Sequence, residues 1–281
     1  MRIGGVSVDL VCDAHYKVDA GALFGIIPRE EWLNKREIRV DKRNRIRLAV
    51  HCLLVRTADA TILVDTGIGN RPDEERKGRF RYSTSKLLGR LRAKEITPRA
   101  IDYVILTHTH FISAGGVVRF NARGELLPAF PGARYLVQRA SWQEALHPSI
   151  RLQDLYRTDD LLVLERAGRV EFLDGDTEVV PGVYVKVTHG YCRGHQVVLV
   201  KAGGSTVVYL GALAPTPLHF LNPACVSAYD AFPDDTAACK REFLTLAERH
   251  GWILVFPFWG DLPAATVVRR NGHLSLRPYP I

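Results

Sequence analysis

The sequence predicts an α/β fold in which two packed sheets are covered by helices on the outside. Three observations predict it: short apolar runs rich in Val, Ile and Leu recur along the whole chain, helical patterns lie between them, and no short internal repeat or Pro/Gly/Ser linker divides the sequence. A chain of 281 residues, 47% of them hydrophobic, has enough apolar material for one continuous core. A single domain over residues 1–281 is expected.

The elements follow in chain order. Residues 48–55, 61–64 and 101–106 read as strands because they are short, apolar and β-branched. Residues 84–94 read as a helix with Leu87, Leu88 and Leu91 turned inward. Strands are again expected over 183–187, 197–200 and 206–210. Residues 234–250 form the clearest helical pattern, with Cys239, Phe243 and Leu246 on one face and Gly251 placed to stop it. Near the end, 267–270 and 273–276 flank Asn271-Gly272, a pair suited to the positive φ angles of a two-residue hairpin turn.

No stretch approaches the roughly 18 consecutive apolar residues that span a bilayer. The start, Met1-Arg2-Ile3-Gly4-Gly5, lacks the basic-then-apolar pattern of a secretory signal, so a cytoplasmic protein is expected. The cysteines Cys12, Cys52, Cys192, Cys225 and Cys239 are widely spaced and form no C-x-x-C pair, which argues against a disulfide framework and a thiolate zinc site. The formal net charge is +8, and the excess is concentrated between Lys35 and Arg99. It comprises Lys35, Arg36, Arg39, Lys42, Arg43, Arg45 and Arg47, then Arg76, Lys77, Arg79, Arg81, Lys86, Arg90, Arg92 and Lys94. Such density can attract a phosphate-rich or acidic partner, although a solvated surface with interspersed acids is the plainer reading. No stacking-aromatic pattern accompanies it, so nucleic acid is not the expected partner despite the basic residues of 35–99.

Chemistry concentrates at Thr107-His108-Thr109-His110-Phe111-Ile112-Ser113-Ala114-Gly115-Gly116. Two histidines two apart at the end of a buried strand can turn into one pocket, and the small residues after them let the loop fold back. This segment resembles the His-x-His-x-Asp-His loop, followed by Ala-Gly-Gly, of the metallo-β-lactamase superfamily. Four more segments resemble that family in the same order: Leu63-Val64-Asp65-Thr66-Gly67, Arg193-Gly194-His195-Gln196, Gly211-Ala212-Leu213-Ala214-Pro215-Thr216 and Phe256-Pro257-Phe258. Gly21-Ala22-Leu23-Phe24-Gly25, before Pro28 and Trp32, is similar to the N-terminal segment of the lactonase-like hydrolases. The resemblance implies an αββα sandwich of two packed mixed sheets with helices outside.

The same resemblance implies a site with two metal ions, usually zinc, held by five histidines and two aspartates. At those positions this chain keeps His108 and His110 but has Ile112, Ser113, Tyr191, Ala212 and Phe258 for the other five. Ile, Ala and Phe offer no lone pair, Ser is a poor ligand, and Tyr coordinates well only when deprotonated. No metal cofactor is expected; at most, one ion would bind weakly at His108 and His110. His189, Cys192, His195 and Asp261 are the candidate donors for recruitment by such an ion.

The pocket is expected to comprise Asp65, His108, His110, Ile112, Ser113, Tyr191, His195, Ala212 and Phe258, with the two ligand-position histidines buried and neutral. By resemblance Asp65 orients a histidine; an Asx turn is the equal alternative. His195 reads as a satisfied core histidine. Ser113 and Tyr191 are the only candidates for metal-free catalysis, supported by residue type alone. The expected function is a pseudo-hydrolase that binds a small molecule or a protein partner. The alternative is a lactone or ester hydrolase using one metal at His108, His110 and an unidentified third ligand. Homodimerisation through residues 22–27 and Trp32 is a further expectation from the resemblance.

Overall fold

The computed structural model describes residues 1–35 and 38–281; Arg36 of the basic run lies outside the described residues. Two seven-stranded sheets divide the chain. The first holds, in spatial order, Arg2–Ile3, Val6–Asp19, Arg45–Arg56, Thr61–Val64, Tyr103–Ile105, Arg134–Gln138 and Val170–Leu173. The second holds Thr177–Val180, Val183–Val187, Gln196–Ala202, Ser205–Tyr209, Ile253–Val255, Ala264–Arg270 and His273–Pro278. Both are mixed. In the first, Thr61–Val64, Tyr103–Ile105, Arg134–Gln138 and Val170–Leu173 run parallel. In the second, only Ser205–Tyr209 and Ile253–Val255 do.

The unbroken apolar runs are explained by burial on both faces. In Thr61–Val64, Ile62 and Val64 pack towards the second sheet with Val198, Val200 and Val207, while Leu63 faces the cluster that includes helix residues such as Leu87 and Leu91. Leu53 and Val55 alternate with Cys52 and Leu54 in the same way.

The hairpin forms as expected, with Asn271 at φ 49° and Gly272 at φ 80°. The helix expected over 84–94 is shorter than its pattern suggested, Leu87–Ala93, and Leu88 is only half-buried. In Pro233–His250 the inward face is Thr236, Lys240, Phe243, Leu244 and Ala247, which leaves Cys239 and Leu246 on the flanks. A lysine at the centre of the stripe hid its position. Lys240 is fully buried, and its Nζ donates to the Cys225 carbonyl at 2.5 Å. The longest strand, Val6–Asp19, was not recognised because its alternation is interrupted by a bulge between Cys12 and Ala14.

Candidate functional site

Several of the noted segments emerge at strand ends, which brings them together. Asp65 follows Thr61–Val64, Thr107–His110 follow Tyr103–Ile105, and Ala212 and Phe258 follow the parallel pair of the second sheet. The loop after His110 turns into the short helix Phe111–Ala114 and then folds back closely. A Cβ on Gly116 would lie 2.2 Å from the Thr66 carbonyl oxygen, so only glycine fits there.

Asp65 does not touch a histidine directly. Its carboxylate accepts from the Thr107 N–H at 2.8 Å, from the Thr107 hydroxyl at 2.9 Å and from the Tyr209 hydroxyl at 3.2 Å. The Thr107 oxygen lies 2.9 Å from His108 Nδ1. With Asp65 ionised, Thr107 donates to it and accepts from His108 Nδ1–H, which leaves Nε2 of His108 as the nitrogen with the free lone pair. Burial pushes Asp65 up to about 7 against the pull of these donors. Thr107, adjacent to His108 in the motif, was legible as a link and was missed.

His110 Nδ1 is 3.3 Å from the Tyr191 hydroxyl, and the Tyr156 ring stands edge-on to His110 with centroids 4.6 Å apart. No sequence signal tied Tyr156 to this place. Burial, then the neighbouring histidines, holds His108 well below its ordinary value; burial and His195 push His110 down to about 3. Both are therefore neutral near pH 7, and the Nε2 of each is buried without a hydrogen-bond partner.

His195 is satisfied at both nitrogens, with Thr188 Oγ1 2.6 Å from Nδ1 and the Ala212 N–H donating to Nε2 at 2.9 Å. The Ser113 hydroxyl is buried near Asp65 without a hydrogen-bond partner, and it is bonded to neither histidine. A serine nucleophile with a histidine base is not assembled. Of the other recruits, His195 lies beside His108 but is already bonded at both nitrogens, His189 is exposed, Asp261 lines a groove with His15 and Arg47, and burial raises the enclosed Cys192 thiol well above its ordinary value.

Four of the replaced ligand positions face one another. Ile112, Tyr191, Ala212 and Phe258 line one cavity of about 30 Å³, completed by Tyr16, Phe111, Leu155, Tyr229 and other uncharged residues. Asp65, His108, His110, Ser113 and His195 were expected in the pocket; the structure places them outside its lining. The cavity-lining Tyr16, Leu155 and Tyr229 lie far from the motifs in sequence and were not foreseen.

A pair of metal ions does not fit this donor set. Three of the facing side chains have no lone pair, and burial, first among its causes, drives Tyr191 well above its ordinary pKa, away from the phenolate a metal needs. Among the described residues, no group of three or more His, Cys, Asp or Glu side chains is placed to hold a metal ion.

The segment 22–27 is largely consumed internally. Leu23, Phe24 and Trp32 are buried, with Phe24 and Trp32 stacked at 4.8 Å, which leaves Ile26 as its openly exposed apolar side chain. Among the described residues, no helix is long and apolar enough to cross a membrane.

Comparison with known proteins agrees with this architecture. An N-acyl homoserine lactonase of Bacillus cereus is 28% identical over 178 residues, 59% of this chain; the match spans 64% of the relative's length, less than two thirds. A probable metallo-hydrolase of Mycobacterium bovis is 30% identical over 186 residues, 59% of this chain and 57% of its own. A solved probable metal-dependent hydrolase from Staphylococcus aureus superposes with a TM-score of 0.88 at 27% identity, covering 100% of both chains. AidC, a dizinc quorum-quenching lactonase, has a TM-score of 0.84 at 18% identity, covering 100% of this chain and 97% of its own, and shares the fold. The family model of the metallo-beta-lactamase superfamily matches residues 45–257, and the chain belongs to that superfamily.

Proposed function

We propose that this lactonase-like chain works without metal ions, as a pseudo-hydrolase whose altered pocket binds a small neutral molecule. The observation that carries the reading is the convergence of Ile112, Tyr191, Ala212 and Phe258 on one uncharged cavity. Ligand positions face one site by their geometry; what these four side chains add is an uncharged surface on one volume. The enclosed space of about 30 Å³ has room for one or two waters, so it admits the tip of a ligand and leaves the rest at the mouth. Among the described residues no charged side chain lines it, which disfavours an ionic tip, since an unpaired ion would lose its hydration there.

Elemental analysis of untagged protein after mild dialysis tests the metal-free half. Zinc, iron or manganese near one ion per chain would refute it. The binding half is tested by screening neutral small molecules for a rise in unfolding temperature, with Ala212→Phe as a filled-cavity control. A screen in which no compound stabilises the wild type selectively would remove that half.

The unpartnered Nε2 atoms of His108 and His110 favour one second reading, a hydrolase of lactone or ester substrates using a single metal at a non-standard site. It requires a third ligand to move in. It predicts turnover that a chelator abolishes and that His110→Ala does not retain.

A further inference from the structure

The basic stretch of the N-terminal third takes no part in the cavity, and the fold sorts its cations into two classes. Five of those named are answered by acids: Arg45 pairs with Asp41, Arg76 with Asp73, Lys77 with Glu74, Arg79 with Asp154 and Lys94 with Asp9. Arg39, Arg47, Lys86 and Arg90 form no ion pair among the described residues. They come from two separate stretches of sequence and meet around His15.

Arg39, Arg47 and His15 line one groove of about 490 Å³, over a floor that includes Ile46, Ala49 and Trp259. That volume is within the range of small-molecule sites. Among the described residues, Asp261 is the one acid in the lining, against Arg39 and Arg47. Lys86 and Arg90 approach from the helix that packs on this strand pair, close enough that, after burial, Arg47, Arg90 and Lys86 all hold His15 below its ordinary value. His51 stands beyond it; burial, then His15 and Arg90, pushes it down to about 4, and both its ring nitrogens are buried without a partner. Four cations are thus gathered around this groove without an ion pair among the described residues.

We propose that this groove binds a small molecule carrying a di- or triphosphate group. Arg39 and Arg47 present planar guanidinium donors suited to phosphate oxygens, Lys86 and Arg90 add to the attracting field, and the apolar floor receives the uncharged remainder. The site is separate from the cavity of the pseudo-hydrolase reading and does not depend on it.

The test is calorimetric titration of the full chain with inorganic pyrophosphate and tripolyphosphate at low salt, alongside an NMR titration of the His15 ring. Saturable binding is expected, tighter for tripolyphosphate, and weakened about tenfold or more by Arg39→Ala and by Arg47→Ala, since each removes a charge-assisted bond. Bound anion favours the protonated imidazole, so the His15 pKa rises in the complex, and by linkage affinity strengthens as pH falls.

Absence of saturable binding at millimolar anion overturns the proposal, as does binding that leaves His15 unmoved or that neither variant weakens. Arg39 is exposed, so Arg39→Ala decides the matter if Arg47→Ala perturbs its strand. A short single-stranded oligonucleotide that binds where both inorganic anions fail would assign the surface to nucleic acid instead.

Discussion

His195, which falls in one of the family-like segments, is held by hydrogen bonds at both ring nitrogens. It accepts from the Ala212 N–H and so fixes the backbone at one of the replaced ligand positions, although Ala212 itself has nothing to coordinate with. Burial pushes His195 down to about 3, so on acidification the unfolded chain takes up this proton first. Its contribution is complete above about pH 6.5 and is lost as pH falls towards 3. In urea unfolding, the stability of wild type relative to His195→Gln should therefore drop by about 1.4 kcal/mol per pH unit below 6.5. A pH-independent difference would contradict the buried neutral ring. Metal uptake tests the replacements directly. A variant with Ile112→Asp, Ser113→His, Tyr191→His, Ala212→Asp and Phe258→His should retain about two zinc ions per folded chain, far more than wild type, by elemental analysis.

At the scale of elements, the loops around the site are held by buried charge. Asp13, at the bulge of Val6–Asp19, accepts from the Ile68 N–H at 2.8 Å and from the Lys86 and Leu87 N–H groups at 3.1 Å, and it also bonds Ser85. One carboxylate thereby caps the helix Leu87–Ala93 and ties down the turn after Thr66-Gly67. Asp13→Ala strands these donors and should cost about 3 kcal/mol or more in urea unfolding. Arg157 acts similarly from another segment: its side chain is 5% exposed, it donates to the Ile68 carbonyl at 3.1 Å, and it lies over the Phe111 ring at 5.3 Å. Neither role is readable from sequence, because Asp13 and Arg157 stand among ordinary polar residues and acquire partners only through long-range contacts.

Across the whole molecule, stability is concentrated where the two sheets meet. Leu53, fully buried there with Val55, Ile62 and Val198, should lose roughly 2–5 kcal/mol on Leu53→Ala, measured as a lower urea midpoint with an unchanged denaturant slope. The strands containing these residues were legible because burial on both faces writes a continuous apolar run into the chain. The ligand-position replacements were equally legible, since whether a side chain has a lone pair is a property of its identity. Local chemistry thus determined the strands, the terminal hairpin and the poverty of metal donors. Which replacements share a cavity, that Thr107 stands between Asp65 and His108, and that Arg39 and Arg47 meet Lys86 and Arg90 around His15 were decided by tertiary structure alone. Those facts depend on distances between residues tens of positions apart, and such distances exist only once the sheets have packed.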